Sequence, residues 1–230
     1  MKTRWITHLF HNTNTESRLI FLLYFFLLLG GFYNALSILQ SAMIVLAPFF
    51  ISTLGILAGF LFVRENRSAG KLVLLGWLIL VFVVSVAVED LGVRTGLLFG
   101  EYHYGDILGI KIGKAPLVIG FAWISTTISS WALAVRLIPG SAEKYIFFKI
   151  VLASLLMVFF DFLMEPAAIK IGYWLWEDEV PPLRNYLMWG MMGVFFLFFG
   201  NRLKVLPQKS SSVLVHLYIA QVLFFLITLL

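Results

Sequence analysis

Seven runs of apolar residues, separated by short charged or glycine-rich connections, constrain what this chain can fold into. Most of them approach or exceed twenty residues, about the length of an α-helix that crosses the hydrocarbon core of a bilayer. Only 13% of the residues are charged, whereas a soluble domain averages about 25%. We therefore predict an all-α polytopic membrane helix bundle with about seven transmembrane helices. The predicted segments are 19–39, 42–63, 72–89, 116–137, 145–169, 186–201 and 213–230.

Lys and Arg residues collect at the N-terminus and in the connections 64–71, 136–144 and 202–212. By the positive-inside rule these parts lie in the cytoplasm. We predict that residues 1–18 are a cytoplasmic lead-in and that residues 19–230 form one integral domain in the plasma membrane. The net charge of +5 follows from this loop bias, so no nucleic-acid partner is predicted.

Three acidic residues lie in or at the ends of apolar runs. Asp161 and Glu165 are four residues apart, so they share one face of a helix. An acid at the centre of a lipid-facing helix costs about 2.5–3.5 kcal/mol, and such residues usually face a bundle interior or a cavity. Glu89 ends the third run. We predict that these acids line the active site; for Asp161 and Glu165 the alternative is a structural ion pair with Arg184 or Lys170.

The connection over residues 90–115 is rich in glycine. Gly92, Gly96 and Gly100 recur at every fourth position, which on a helix would form a small-residue packing face. The same spacing is compatible with a re-entrant or interfacial segment.

The connection over residues 170–186 is rich in aromatic residues, among them Trp174 and Trp176. For any one Trp the simplest interpretation is an aromatic belt at the membrane interface.

Several kinds of chemistry are excluded by composition and motifs. The chain has no cysteine, which removes disulfides, iron–sulfur clusters and thiol nucleophiles. The four histidines are not clustered, so no metal site is predicted. No G-x-G-x-x-G motif follows a strand, so a nicotinamide or flavin domain is not expected. Acid–base chemistry without a cofactor, or simple transport, remains.

Five ordered motifs carry a resemblance to a known family, and they are Glu89–Asp106, Lys114–Trp123, Asp161–Ala168, Gly172–Trp176 and Pro181–Trp189. Together they resemble the carotenoid-biosynthesis membrane family, which includes the CruF-type carotenoid hydratases. The resemblance implies that water is added across the terminal double bond of an acyclic carotenoid end, giving a tertiary alcohol. It implies as partners an acyclic or monocyclic carotenoid of forty or fifty carbon atoms, water, membrane lipid and other enzymes of the carotenoid pathway.

The residues independently suit this chemistry. Hydration of an unactivated alkene needs a proton donor first, and a carboxyl group in low-dielectric surroundings keeps its proton because desolvation disfavours the charged form. A second carboxyl one turn away couples to the first, so that the two share one proton and titrate as a pair. We predict Asp161 as the acid and Glu165 as its partner, with Glu89 as a third catalytic candidate.

Electron-rich rings would stabilise the cation that protonation forms, each by about 2 kcal/mol when desolvated. Asn185 and Tyr104 could hold the attacking water by hydrogen bonds. The predicted substrate-binding residues are Tyr102, Tyr104, Trp174, Trp176, Asn185 and Trp189.

Two alternative functions use the same acids. A carotene end-group cyclase begins with the same protonation but lets a neighbouring double bond capture the cation. A proton-coupled transporter or carotenoid-binding protein would use the acids as a relay.

Overall fold

The computed structural model describes residues 14–66, 69–140 and 145–230. Within these ranges seven α-helices each overlap one predicted segment, which confirms the all-α membrane bundle. The helices are α1 (Asn14–Ala35), α2 (Gln40–Glu65), α3 (Lys71–Thr95), α4 (Val118–Leu137), α5 (Ile146–Lys170), α6 (Leu183–Arg202) and α7 (Ser212–Thr228).

Helices α1 to α5 are long and apolar enough to cross a membrane. Helix α6 is less apolar and α7 is shorter, at 17 residues. The chain is a multi-pass membrane protein; its orientation and the identity of its membrane stay predictions. Residues 1–13 of the predicted lead-in lie outside the described residues. Residues 14–18 belong to α1, so this helix begins earlier than predicted.

Helix α4 is the centre of the bundle. It is buried on almost every side and packs against α2, α3, α5 and α7. Small hydroxyl residues let the neighbouring backbones approach it closely. The buried hydroxyl residues of α4 are Ser125, Thr126, Thr127, Ser129 and Ser130. Helix α1 packs mainly on α7, and α2 packs mainly on α4.

Helix α2 lies very close to α4 at Gly55. A Cβ atom at this position would lie 2.5 Å from the carbonyl oxygen of Phe121 and 2.6 Å from its Cβ. Because a backbone atom cannot move aside as a side-chain tip can, only glycine fits there without displacing a helix.

Gly55→Ala is expected to lower the free energy of unfolding by about 1–3 kcal/mol, since it overpacks this contact. Thermal unfolding in detergent measures the change. Gly76→Ala is the matched control, because a Cβ at Gly76 meets nothing within 4 Å. Equal melting temperatures for the two variants would contradict the close contact between α2 and α4 at Gly55.

Helix α3 ends before the glycine-rich connection. Gly96 adopts the left-handed conformation, with φ of 64°, and its N–H donates to the carbonyl of Gly92 at 2.8 Å. A glycine in this conformation is a common helix stop. Of the two interpretations of Gly92, Gly96 and Gly100, the helical packing face is therefore wrong, because the last two residues lie outside the helix.

Short strands in the two long connections, which were not predicted, form two small sheets. The strands are β1 (Tyr102–Tyr104), β2 (Lys111–Ile112), β3 (Ala115–Pro116) and β4 (Trp174–Trp176).

The sheet of β1 and β4 is antiparallel and joins the two connections. Tyr102 lies opposite Trp176 and Tyr104 lies opposite Trp174. Successive side chains of a strand point to opposite faces, so these four aromatic residues share one buried face. We call them the aromatic lid, because they close one end of the helix bundle.

Candidate functional site

All nine predicted site residues line one cavity of about 300 Å³ below the aromatic lid. Of these nine, helices α3, α5 and α6 contribute the three acids and Asn185, and the lid contributes four aromatic residues. Residues from three separate parts of the sequence are thereby brought together. Their catalytic and binding roles stay predictions, and the contacts below define what each can do. The nine residues are Glu89, Tyr102, Tyr104, Asp161, Glu165, Trp174, Trp176, Asn185 and Trp189.

Glu89 lies six residues before the end of α3 and is only 5% exposed. Its Oε2 accepts hydrogen bonds from the hydroxyls of Tyr102 at 2.5 Å and Tyr104 at 2.7 Å. Its Oε1 accepts from the indole N–H of Trp123 at 3.1 Å. Donors on both oxygens favour the ionised form of a carboxyl group, whereas burial favours the neutral form. The three donors therefore offset part of the cost of a charge on Glu89.

The two tyrosines that contact Glu89 remain hydroxyl donors. Burial, and then the charge of the nearby Glu89 carboxylate, raise the pKa of Tyr102 and of Tyr104 well above the ordinary value for a phenol. Neither phenol therefore loses its proton near neutral pH, and both hydrogen bonds to Glu89 persist there.

Glu165, in α5, is held in the same manner by the other strand of the lid. Its Oε2 accepts from the indole N–H groups of Trp174 at 2.9 Å and Trp176 at 2.8 Å. Its Oε1 accepts from the side-chain amide of Asn185 at 3.3 Å. Glu165 therefore also has donors on both oxygens and is 2% exposed.

Asp161 differs from the other two acids. Its Oδ2 accepts from the same Asn185 amide nitrogen at 2.6 Å. Its Oδ1 is buried and has no hydrogen-bond partner among the described residues. Because one amide nitrogen contacts both acids, Asp161 and Glu165 are held as a pair with a single oxygen left over. A buried carboxyl oxygen without a donor suits a protonated carboxyl group better than a carboxylate.

The alternative of a structural ion pair with Lys170 or Arg184 is wrong. The Lys170 ammonium donates instead to the backbone carbonyl of Thr228 at 2.8 Å, and Arg184 is exposed on α6. Among the residues described here, the salt bridges are Asp90–Arg94, Glu177–His103 and Asp106–Lys111. None of them includes a cavity acid.

Comparison with known proteins places this chain in a family. The sequence profile of the family described as carotenoid biosynthesis protein matches residues 39–230. The chain belongs to this family. It is also similar to the bisanhydrobacterioruberin hydratase of Haloarcula japonica, with 29% identity over 164 residues. The matched region is 68% of this chain and 53% of the relative, so the chain spans about half the length of that curated protein. No solved structure matches.

The site of this family member corrects the interfacial interpretation of Trp174 and Trp176. Both side chains are buried and both indole N–H groups donate to Glu165. They are not part of a belt exposed at a membrane surface. A tryptophan in a belt and a tryptophan in a lid look alike in sequence, because each follows the end of an apolar helix.

Trp123 was not predicted as a site residue, yet it completes the Glu89 contacts. Its indole stacks on that of Trp189, with ring centroids 4.1 Å apart and planes inclined by 21°. Trp123 lies at the end of the motif Lys114–Trp123, but inside an apolar helix it is also typical of a packed core. Only the hydrogen bond from Trp123 to Glu89 on α3 distinguishes a residue of the cavity from a residue of the packed core.

A second polar pair on the cavity wall was also missed. The Ser125 hydroxyl of α4 donates to the Oε1 of Gln221 in α7 at 3.1 Å, and both residues line the cavity. Such a pair joins two helices within the bilayer. Nothing in the spacing of Ser125 and Gln221, which are 96 residues apart, signals their contact.

Proposed function

We propose that this protein is a carotenoid hydratase, which adds water across the terminal double bond of an acyclic carotenoid end group. The observation that carries the proposal is the unpartnered Oδ1 of Asp161 on the wall of a mainly apolar cavity. Because Oδ1 has no hydrogen-bond partner among the described residues, a proton on it would be available to an alkene. Alkenes are weak bases, and a well-positioned acid is the first requirement for their protonation.

The three acids divide into two kinds by their hydrogen bonds. Glu89 and Glu165 each accept three donors, which favours the carboxylate form. Asp161 accepts from Asn185 alone. In the proposed resting state the pair of Asp161 and Glu165 therefore shares one proton, and Asp161 carries it.

The proposed reaction balances with water as the only co-substrate. Asp161 donates its proton to the less substituted carbon of the terminal double bond, and the π electrons form the new C–H bond. A tertiary cation remains on the other carbon. Water adds to that carbon, and the oxonium ion returns a proton to the Asp161–Glu165 pair. The product is a tertiary alcohol and the enzyme is regenerated.

The cation would be stabilised by charge and by rings. The carboxylates of Glu89 and Glu165 provide negative charge on the cavity wall, and indole and phenol faces add cation–π attraction of about 2 kcal/mol each when desolvated. The amide of Asn185 and the hydroxyl of Tyr104 already donate to carboxyl groups. They would therefore bind the attacking water through their oxygen atoms, as acceptors.

The comparisons support this assignment without extending to its details. The family is described as carotenoid biosynthesis protein, and the relative from Haloarcula japonica is named a hydratase. We propose that the substrate reaches the site laterally from the lipid of the plasma membrane, and that no cofactor takes part.

Pigments extracted from a carotenoid-producing host, with and without this protein, test the proposal. A carotenoid heavier by one water is the expected result, resolved by mass spectrometry after chromatography. An isomer of unchanged mass would instead indicate a cyclase, because a neighbouring double bond would then capture the cation. Unchanged pigments, in cells whose membranes contain the protein, would contradict both enzymes and favour binding or transport.

A further inference from the structure

The cavity extends from the acids to the apolar faces of α1 and α2. Beyond Trp123 and Asn185, its walls are mainly apolar side chains of these two helices and of α7, among them Phe26, Met43 and Phe50. The carboxyl groups therefore occupy one part of the cavity, and α1 and α2 line another part with apolar side chains, apart from the hydroxyl of Tyr33.

The contact between α1 and α2 is slight. Each packs mainly on another helix, α1 on α7 and α2 on α4, and the short link 36–39 joins them. Between them the rings of Phe26 and Phe50 meet with centroids 6.1 Å apart. Phe26 lines the cavity and is nevertheless 47% exposed. The gap between α1 and α2 is thus where the cavity reaches the lipid-facing surface.

The cavity is too small for a whole carotenoid. Its 300 Å³ is at the lower end of the range of about 300–1,000 Å³ that holds a drug-sized ligand. A chain of forty carbon atoms is longer than such a ligand. If one end group lies at the acids, the remaining polyene must leave the cavity.

We propose that the polyene passes between α1 and α2 into the bilayer, through a portal formed by Phe26, Gly30, Met43 and Phe50. Gly30 sets the width of this portal. A Cβ at Gly30 would lie 3.4 Å from the ring of Phe224 and 3.5 Å from the Cε of Met43. A methyl group fits there, but a larger side chain would occupy the space between those neighbours. The identity of the chain in the portal rests on the proposed function, and the route itself does not.

The absence of cysteine from the chain permits a reversible block of the portal. Phe26→Cys is labelled with a bulky methanethiosulfonate reagent, which a reductant removes. Phe25→Cys is the matched control, because Phe25 is 49% exposed and does not line the cavity. Gly30→Leu, compared with Gly76→Leu, tests the same route without a label.

The experiment uses two substrates and one binding signal, so that a blocked portal can be distinguished from a general loss of activity. The substrates are the carotenoid that the host test identifies and a monoterpene with the same terminal alkene, short enough to lie inside the cavity. Polyene binding is followed by quenching of tryptophan fluorescence, since Trp123, Trp174, Trp176 and Trp189 line the cavity. Quenching does not depend on any reaction.

The labelled Phe26→Cys protein and Gly30→Leu are expected to lose carotenoid conversion and polyene quenching by about tenfold more than monoterpene conversion. That ratio corresponds to roughly 1.4 kcal/mol of binding. A reductant should restore the labelled protein, and the Phe25→Cys and Gly76→Leu controls should behave as wild type.

Unchanged carotenoid conversion and quenching in the blocked proteins would overturn the portal, and so would an equal loss with both substrates. If the wild type binds polyene but forms no product, and the blocked proteins lose that binding, the portal stands and the hydratase proposal fails.

Discussion

Asp161→Asn is expected to abolish formation of the hydrated carotenoid, with a rate lower by about a hundred- to ten-thousand-fold, the usual contribution of a positioned acid. The substitution removes the transferable proton and changes the shape of the side chain very little. The amide oxygen of the new side chain can still accept from Asn185, as Oδ2 of Asp161 does at 2.6 Å. The variant should therefore fold, insert and bind polyene.

Two measurements separate this effect from a loss of structure. The melting temperature in detergent and the quenching of tryptophan fluorescence by polyene should match those of the wild type. Asp106→Asn is the control for the chemical change, since Asp106 is an exposed acid paired with Lys111. Full activity of Asp161→Asn would transfer the role of acid to Glu165 or Glu89.

Glu89→Gln is expected to reduce both stability and activity. The carboxylate accepts three hydrogen bonds, from Tyr102, Tyr104 and Trp123. A glutamine amide presents a donor on one side, so at least one of these buried donors loses its acceptor. An unsatisfied buried group costs about 1–3 kcal/mol, and more where a charge was involved. The site also loses one of the negative charges proposed to stabilise the cation.

Comparison of Glu89→Gln with Asp161→Asn distinguishes a carboxylate that positions its neighbours from the acid that donates the proton. Glu89→Gln should melt at a lower temperature than Asp161→Asn and yet keep more activity, whereas Asp161→Asn should show the reverse. The exposed acid Glu101 provides the matched control, Glu101→Gln, which should leave both quantities unchanged. A stable but wholly inactive Glu89→Gln protein would contradict this division and favour Glu89 as the acid.

The bundle and its acids were accessible from the sequence because both depend on local properties. Apolar runs of membrane-spanning length predict helices whatever their partners. The cost of an acid in lipid is likewise a property of the residue and its depth, so Glu89, Asp161 and Glu165 were predicted to face an interior. All three line the cavity.

The lid could not be predicted, since it depends on pairing between distant connections. β1 and β4 have three residues each, too short for an alternating pattern to be distinguished from a loop. Their register sets Tyr102 against Trp176, 74 positions along the chain. For the same reason Trp123 was indistinguishable from a core residue, and Trp174 and Trp176 from residues of a membrane interface.

Each buried glutamate receives donors from the connection that directly follows its own helix. Tyr102 and Tyr104 come 13 and 15 residues after Glu89, and Trp174 and Trp176 come 9 and 11 residues after Glu165. During synthesis, the donors to each acid therefore follow it after only a short length of chain. The pairing of β1 with β4 then joins the two acid-bearing parts of the chain around one pocket.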